Sequence, residues 1–138
     1  MIHDEEKSGR NVPEWLKEVG FDFSRDIEKI WSLEGLEVEE LPIQDLIWHF
    51  DYPFFFSSGG WFDVKPVDVI NNPQEYEYRY SRIMGVDNKY PIHIMQWRGR
   101  WTILDGLHRV CKSFIEGEEK VKVIKVPESM IPEIIADN

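Results

Sequence analysis

The chain has 138 residues, a formal net charge of −10 and 42% apolar side chains. This length suits a single domain with one hydrophobic core. No apolar run approaches the roughly 20 residues that a membrane-spanning helix needs, so we expect no contact with a membrane. A single cysteine excludes an internal disulfide and any zinc site built from several cysteines.

The negative charge is concentrated in the amino-terminal part of the sequence. Residues 1–50 carry 13 acidic and 5 basic side chains, whereas residues 91–138 carry 7 of each. Proteins that bind the DNA backbone depend on positive potential, so we do not expect a nucleic-acid partner. A pocket for one small phosphate compound is compatible with this charge. The first residues lack the pattern of a secretory signal, which predicts a cytoplasmic protein.

Residues 1–11 are polar and charged, which predicts a flexible amino terminus. Residues 12–138 are predicted to form one domain. Proline in a first turn and serine at a cap position mark helix starts, whereas alternating apolar and acidic residues mark a half-exposed strand. By these signals the first half contains a helix over 13–19, a helix over 24–31 capped by Ser24, a strand over 36–41 and an amphipathic helix over 43–50.

The second half is predicted to hold a small sheet. Two apolar runs flank a turn at Arg98-Gly99, which indicates a hairpin. The predicted elements are helices over 66–70 and 73–84, strands over 91–97 and 100–104, a helix over 107–116 and a strand over 120–126, with no clear signal in the tail. We therefore expect an α+β fold, a small mixed sheet with a strand–helix–strand crossover and several packed helices. The two strands flanking the 107–116 helix should share that sheet.

The helix that follows Asp105-Gly106 has two distinct faces. Its apolar residues follow the spacing of a core-facing stripe, namely Leu107, Val110, Cys111, Phe114 and Ile115. Cys111 lies on this stripe, so we expect a core residue and not a nucleophile. The side chains of His108, Arg109 and Lys112 lie off it.

His108 and Arg109 occupy the first turn of this helix, where the positive end of the helix dipole disfavours cations. A phosphate bound between them and the free N–H groups would explain the placement. The predicted phosphate or nucleotide site consists of Gly106, Leu107, His108, Arg109 and Lys112. Two alternatives need no ligand: Asp105 is only an N-cap beside a permissive Gly106, and His108 and Arg109 are a solvated surface.

The run Ile-Leu-Asp-Gly-Leu-His-Arg at 103–109 is followed by a helix ending at Gly117 and by a Lys/Val strand. This arrangement resembles the signature of the ParB/sulfiredoxin-like superfamily, particularly its small bacterial domain proteins. In that superfamily a Gly-x-x-Arg or Gly-Cys-His-Arg element opens a helix and holds nucleotide phosphates. The resemblance covers 91–127 most closely and 39–46 more loosely. It implies a ParB/sulfiredoxin-like fold and ATP, ADP or CTP with magnesium as the ligand.

This chain departs from the family pattern at several positions, and these departures reduce the number of activities that the resemblance implies. Sulfiredoxin has its reactive cysteine where this chain has Leu107, so sulfiredoxin activity is not expected. ParB partition proteins carry Glu-Arg-Arg after the glycine, together with DNA-reading and dimerisation domains for which we expect no room here. A third branch phosphorylates free serine, which keeps nucleotide-dependent phosphoryl transfer or hydrolysis open. By that likeness Asp105 would orient a hydroxyl or a metal ion, and Glu40, or its neighbour Glu39, would be the base.

Aromatic residues supply the remaining candidates. The loop over 51–61 contains Phe54–Phe56 and Trp61, and it either folds over the core, closes as a lid on a nucleotide, or contacts a second copy or another protein. Phe55, Trp61 and Trp48 are the candidates for a lid or for stacking on a base.

Two further aromatic clusters are ambiguous. For Trp48-His49 we favour a tryptophan packed against the core beside an exposed histidine. The second cluster combines aromatic and basic residues on one predicted helix and would either stack on a base or pack between helix and sheet; its members are Tyr76, Tyr78, Tyr80, Arg79 and Arg82.

The leading hypothesis is a domain that binds a nucleotide or another phosphate ligand. One alternative is a non-enzymatic protein-interaction module with the same fold, and a second is a DNA-binding or nuclease domain. The four histidines, at positions 3, 49, 93 and 108, lack the spacing of metal ligands, so no metal site is predicted.

Overall fold

The computed structural model describes residues 13–56 and 62–136. Its helices and strands are α1 (Glu14–Val19), α2 (Ile27–Trp31), β1 (Val38–Pro42), α3 (Pro66–Asn71), α4 (Glu77–Met84), β2 (Ile92–Trp97), β3 (Arg100–Asp105), α5 (Leu107–Ile115), β4 (Lys120–Lys125) and α6 (Ile131–Ile134). Three 3-10 turns accompany them, at Ile43–Asp45, Ile47–Asp51 and Glu128–Met130. The predicted α+β class is confirmed. None of the helices in the described ranges is both long and apolar enough to cross a membrane.

The four strands form one mixed sheet in the order β1-β4-β2-β3. β4 is antiparallel to β1 and parallel to β2, and β2 is antiparallel to β3. The strands flanking α5 share this sheet, as predicted, but β2 lies between them. The connection between the parallel pair β2 and β4 therefore contains both β3 and α5. This topology brings the amino end of α5 back to the start of β2.

Helices cover both faces of the sheet. On one face, Ile94 and Val123 pack with Ile83 of α4 and Val110 of α5. On the other face, a second cluster includes Ile30, Met95, Leu104, Val126 and Ile134. Burial on both faces explains why β2 reads as an apolar run rather than as an alternating strand.

The stretch predicted as one amphipathic helix over 43–50 instead forms two 3-10 turns. Three of its four buried residues, Ile43, Leu46 and His49, recur every third position, which is the period of a 3-10 helix; the fourth is Phe50. The N–H of Leu46 donates to the oxygen of Ile43, and that of His49 donates to the oxygen of Leu46. Apolar residues three apart fit either helix type, so the spacing alone does not separate them.

Helix boundaries differ from the predictions at three further places. The cap of α2 is Asp26 and not Ser24, because the Asp26 carboxylate accepts the N–H groups of Glu28 and Lys29. Helix α4 begins at Glu77, since the residues after Pro73 form a turn. The tail, which carries no clear sequence signal, forms α6 around the buried Ile134.

The outer edge of β3 is covered by side chains from distant parts of the chain. Trp48 Nε1 donates to the oxygen of Trp101 at 3.0 Å, and the N–H of Ile103 donates to His49 Nε2 at 3.0 Å. Arg25 Nε donates to the oxygen of Leu104 at 3.0 Å. These bonds occupy backbone N–H and C=O groups with which another strand could otherwise pair.

The prediction of an exposed His49 is wrong, because this side chain is 2% exposed. Its Nε2 accepts from Ile103, so the ring proton lies on Nδ1, which donates to the oxygen of Leu46 at 2.7 Å. Burial, with smaller contributions from Arg100 and Arg25, lowers the pKa of His49 to about 3 despite the opposing effect of the Leu46 hydrogen bond. His49 is thus a neutral structural residue.

We expect acid to reduce the stabilising effect of His49. Between pH 6.5 and about 3 the unfolded chain protonates this histidine and the folded chain does not, so stability falls as the pH drops through that window. The stability advantage of the wild type over His49→Gln should shrink by about 2 kcal/mol between pH 7 and pH 5. Urea unfolding of both proteins at each pH measures this difference, and an advantage independent of pH would contradict the assignment.

Candidate functional site

The turn between β3 and α5 requires a glycine at position 106. Gly106 has φ +119°, and a Cβ atom there would lie 3.0 Å from Ile92 Cγ1 and 3.4 Å from Ile92 Cα. Gly106 is also the N-cap of α5, and no side chain of the described residues caps this end. The prediction that Asp105 could be the N-cap is therefore wrong. The first N–H groups of α5 have no partner within the helix, and such groups are the donors that bind anions at helix starts.

Asp105 and Arg109 form an internal clamp across this turn. Arg109 Nη2 lies 2.8 Å from Asp105 Oδ2, and the two side chains are only 15% and 16% exposed. Arg109 Nη1 donates to the oxygen of Pro91 at 2.6 Å, and Trp31 Nε1 donates to the same Asp105 oxygen at 2.8 Å. The clamp joins the start of β2, the end of β3 and α5. Arg109, predicted to hold phosphate, thus has both terminal nitrogens engaged by the protein.

Lys112 is engaged in the same way. Its Nζ donates to the oxygen of Val86 at 2.7 Å, which ties α5 to the segment after α4. Of the three polar residues predicted to face a ligand from α5, two therefore hold the helix in place. Leu107 packs against the core, as predicted from the apolar stripe.

Unlike Arg109 and Lys112, His108 contacts Arg79 of α4 and Phe55 of the loop before α3. Arg79 Nη1 lies 3.2 Å from His108 Nε2, and the His108 ring lies 4.9 Å from the Phe55 ring. Because a guanidinium only donates, Nε2 is the unprotonated nitrogen of a neutral ring.

The pKa of His108 agrees with a neutral ring. Burial is the largest cause that lowers this pKa to about 4. The charges of Arg79, Arg82 and Arg109 act in the same direction, and Asp105 opposes them. His108 is therefore uncharged at neutral pH.

Arg79 is a site residue that the sequence motif does not include. It lies on α4, donates through Nη2 to the oxygen of Phe56 at 3.1 Å and lies over the Phe55 ring at 5.0 Å. Its buried Nε has no hydrogen-bond partner within the described ranges. The aromatic–basic pattern draws attention to this helix, but only the packing of α4 on α5 shows that Arg79 reaches His108.

The three tyrosines of the aromatic–basic cluster differ in burial. Tyr76 and Tyr80 pack against the core, whereas Tyr78 is 69% exposed. Two of the three tyrosines therefore follow the packing alternative.

The described part of the loop with three phenylalanines, residues 51–56, folds over the core. The Phe54 ring contacts the rings of Trp15 and Trp48, at 5.5 and 6.4 Å, and Phe55 is 4% exposed. Of the three lid candidates, Phe55 contacts His108, and Trp48 lies at β3, stacked on His49 and beneath the Arg100 guanidinium. Trp61 lies outside the described residues.

Glu40, the candidate base, lies at the edge of the sheet opposite β3, the strand that leads into α5. It lies exposed on β1, opposite Lys122 of β4, and β4 and β2 separate it from β3. Three strand spacings correspond to about 14 Å. Glu39 has an ion pair with Lys125 at 3.2 Å and lies at the same edge.

The described residues contain no group of three or more His, Cys, Asp or Glu side chains that could hold a metal ion. Cys111 is fully buried, and burial raises the pKa of its thiol, as expected for a core residue.

No family model, curated protein or solved structure matches the chain. The resemblance at 103–109 therefore stays a prediction.

We expect Gly106→Ala to destabilise the protein more than Gly117→Ala. Gly117 ends α5 with φ +81°, and a Cβ atom there would meet nothing within 4 Å, so alanine adds only backbone strain, about 1 kcal/mol. At Gly106 the contact with Ile92 adds about 1 to 3 kcal/mol more. Urea unfolding measures both variants, and equal losses would show that Ile92 does not restrict this turn.

Proposed function

We propose that this chain binds a phosphate-bearing small molecule at the amino end of α5, with a nucleotide as the leading candidate. The ligand's phosphate would accept hydrogen bonds from the uncapped N–H groups of the first turn and from Arg79. The terminal nitrogens of Arg79 contact neutral acceptors, His108 Nε2 and the oxygen of Phe56, whereas the charge of Arg109 is neutralised by Asp105. The observation that carries the proposal is the Arg79–His108 contact of 3.2 Å beside a helix end that no described side chain caps. The nucleotide rests on the resemblance at 103–109.

The local charge supports an anion. Three arginines, Arg79, Arg82 and Arg109, lower the pKa of His108, and among the described residues Asp105 is the carboxylate that opposes them. The local balance of charge is therefore positive although the whole chain carries −10. A phosphate placed here would gain from these charges and from the helix end together.

The residues around this turn have two roles. Asp105 and Arg109 of the motif set the position of α5, whereas His108 of the motif and Arg79 of α4 face the proposed ligand. A bound phosphate would offset the arginines and raise the pKa of His108, so binding is expected to take up a proton below neutral pH.

Binding is better supported than a reaction. Asp105 already accepts hydrogen bonds from Arg109 and Trp31, and Glu40 lies at the opposite edge of the sheet. The interaction-module alternative loses the support of Phe54 and Phe55, which pack internally, and keeps that of the acidic residues over 1–50.

We expect Arg79→Met to weaken phosphate binding about 10- to 100-fold, since a hydrogen bond to a charged group contributes about 1.5 to 3 kcal/mol. Calorimetric titration with pyrophosphate, and with ATP, ADP and CTP in the presence of magnesium, measures the loss. Lys17→Met is the matched control, because it removes one exposed positive charge on α1.

Two results would contradict the proposal: no binding of any of these ligands to the wild type, or equal losses in Arg79→Met and Lys17→Met. A second readout is the pKa of His108, followed by NMR. It should start near 4 and rise when pyrophosphate is added.

A further inference from the structure

The two edges of the sheet differ in how far side chains cover their backbone. The β3 edge is covered by Trp48, His49 and Arg25, whose side chains bond its backbone. The described residues provide no comparable cover for the β1 edge, where Val38, Glu39 and Glu40 are all exposed. Val38 is 53% exposed, although valine is among the residues most often buried.

The hydrogen-bond pattern shows which backbone groups of β1 face outwards. The N–H of Ile43 donates to the oxygen of Glu119, so in this antiparallel pair the alternate residues Leu41 and Glu39 also face β4. On the other side of β4, the N–H of Val126 donates to the oxygen of Ile94. The even-numbered residues of β4 therefore direct their backbone groups towards β2, which leaves the odd-numbered ones to pair with β1.

The backbone groups of Val38 and Glu40 therefore point away from the sheet. Within residues 13–56 and 62–136, no other segment forms a backbone hydrogen bond with them.

The strand already paired with β1 indicates which side chains a further strand beside β1 should carry. Its neighbour β4 alternates lysines with apolar residues, in the order Lys-Val-Lys-Val-Ile-Lys. Glu40 lies opposite Lys122, and Glu39 pairs with Lys125 at 3.2 Å. Opposite charges across a strand pair stabilise it, and like charges destabilise it.

We propose that the outer edge of β1 binds an extended segment of a partner protein in which basic and apolar residues alternate. The segment would accept and donate hydrogen bonds at Val38 and Glu40 and place its cations beside the glutamates. A second copy pairing through β1 would set glutamates against glutamates, so charge favours a basic partner.

The surroundings of the edge fit such a segment. A cavity of about 410 Å³ lies over one face of the sheet beside this edge, and it is lined by Val38, Glu39, Glu40, Lys89, Pro91 and Lys122. A side chain that the added segment places on this face would contact Val38. The excess of acidic residues over 1–50, which includes β1, would also speed the approach of a basic partner.

The test uses the full chain and a labelled, end-blocked peptide with the sequence of residues 119–126, which contains the β4 pattern. Fluorescence anisotropy should show saturable binding to the wild type. Glu40→Pro removes an outward N–H without touching the β4 ladder, and it should weaken binding at least about tenfold. Glu40→Gln is the matched control: it keeps the N–H, loses one charge and should weaken binding only a few-fold.

A measurement on the wild type guards against a folding defect in Glu40→Pro. Hydrogen exchange should slow at the Val38 and Glu40 amides when peptide is added, and stay unchanged at Leu41, which already bonds β4. The proposal is overturned if the peptide does not bind, if a peptide with its lysines replaced by glutamates binds equally well, or if the Glu40 amide gains no protection.

Discussion

The tight turn at Gly106, closed by the Asp105–Arg109 ion pair, determines how the rest of this structure is arranged. A residue with φ +119° next to Ile92 forces β3 to end and α5 to begin within one step. Arg109 then bonds Asp105 and Pro91, so that two strands and a helix meet at one guanidinium. Because β2 begins at this point, the parallel pairing of β2 with β4 depends on the same junction.

This junction also explains how two basic residues are accommodated at a helix start. Arg109 is neutralised by Asp105, a carboxylate placed where the helix dipole favours it. His108 is neutral, so the positive end of the helix dipole does not repel it. The positive charge that remains near the turn comes from α4, through Arg79 and Arg82, and it lies beside N–H groups that no described side chain caps. That combination is the physical basis for proposing a phosphate ligand.

Local patterns predict most of the elements, because hydrophobic spacing and turn residues act over a few positions. The hairpin at Arg98-Gly99, the apolar stripe of α5 and the buried Cys111 follow from such patterns. The 3-10 type of the turns over 43–51 does not, since residues three apart fit two helix types. Long-range contacts also lie beyond local patterns: Arg79 and His108 are 29 residues apart, and His49 and Ile103 are 54 apart. Such pairings depend on how α4 and the 3-10 turns pack, which no single segment specifies.

A crystal structure with bound pyrophosphate would show whether a phosphate binds at the amino end of α5. We expect phosphate oxygens within hydrogen-bond distance of the first-turn N–H groups and of Arg79, with the Asp105–Arg109 pair intact. Pyrophosphate bound elsewhere, or bound through an Arg109 released from Asp105, would contradict the proposal.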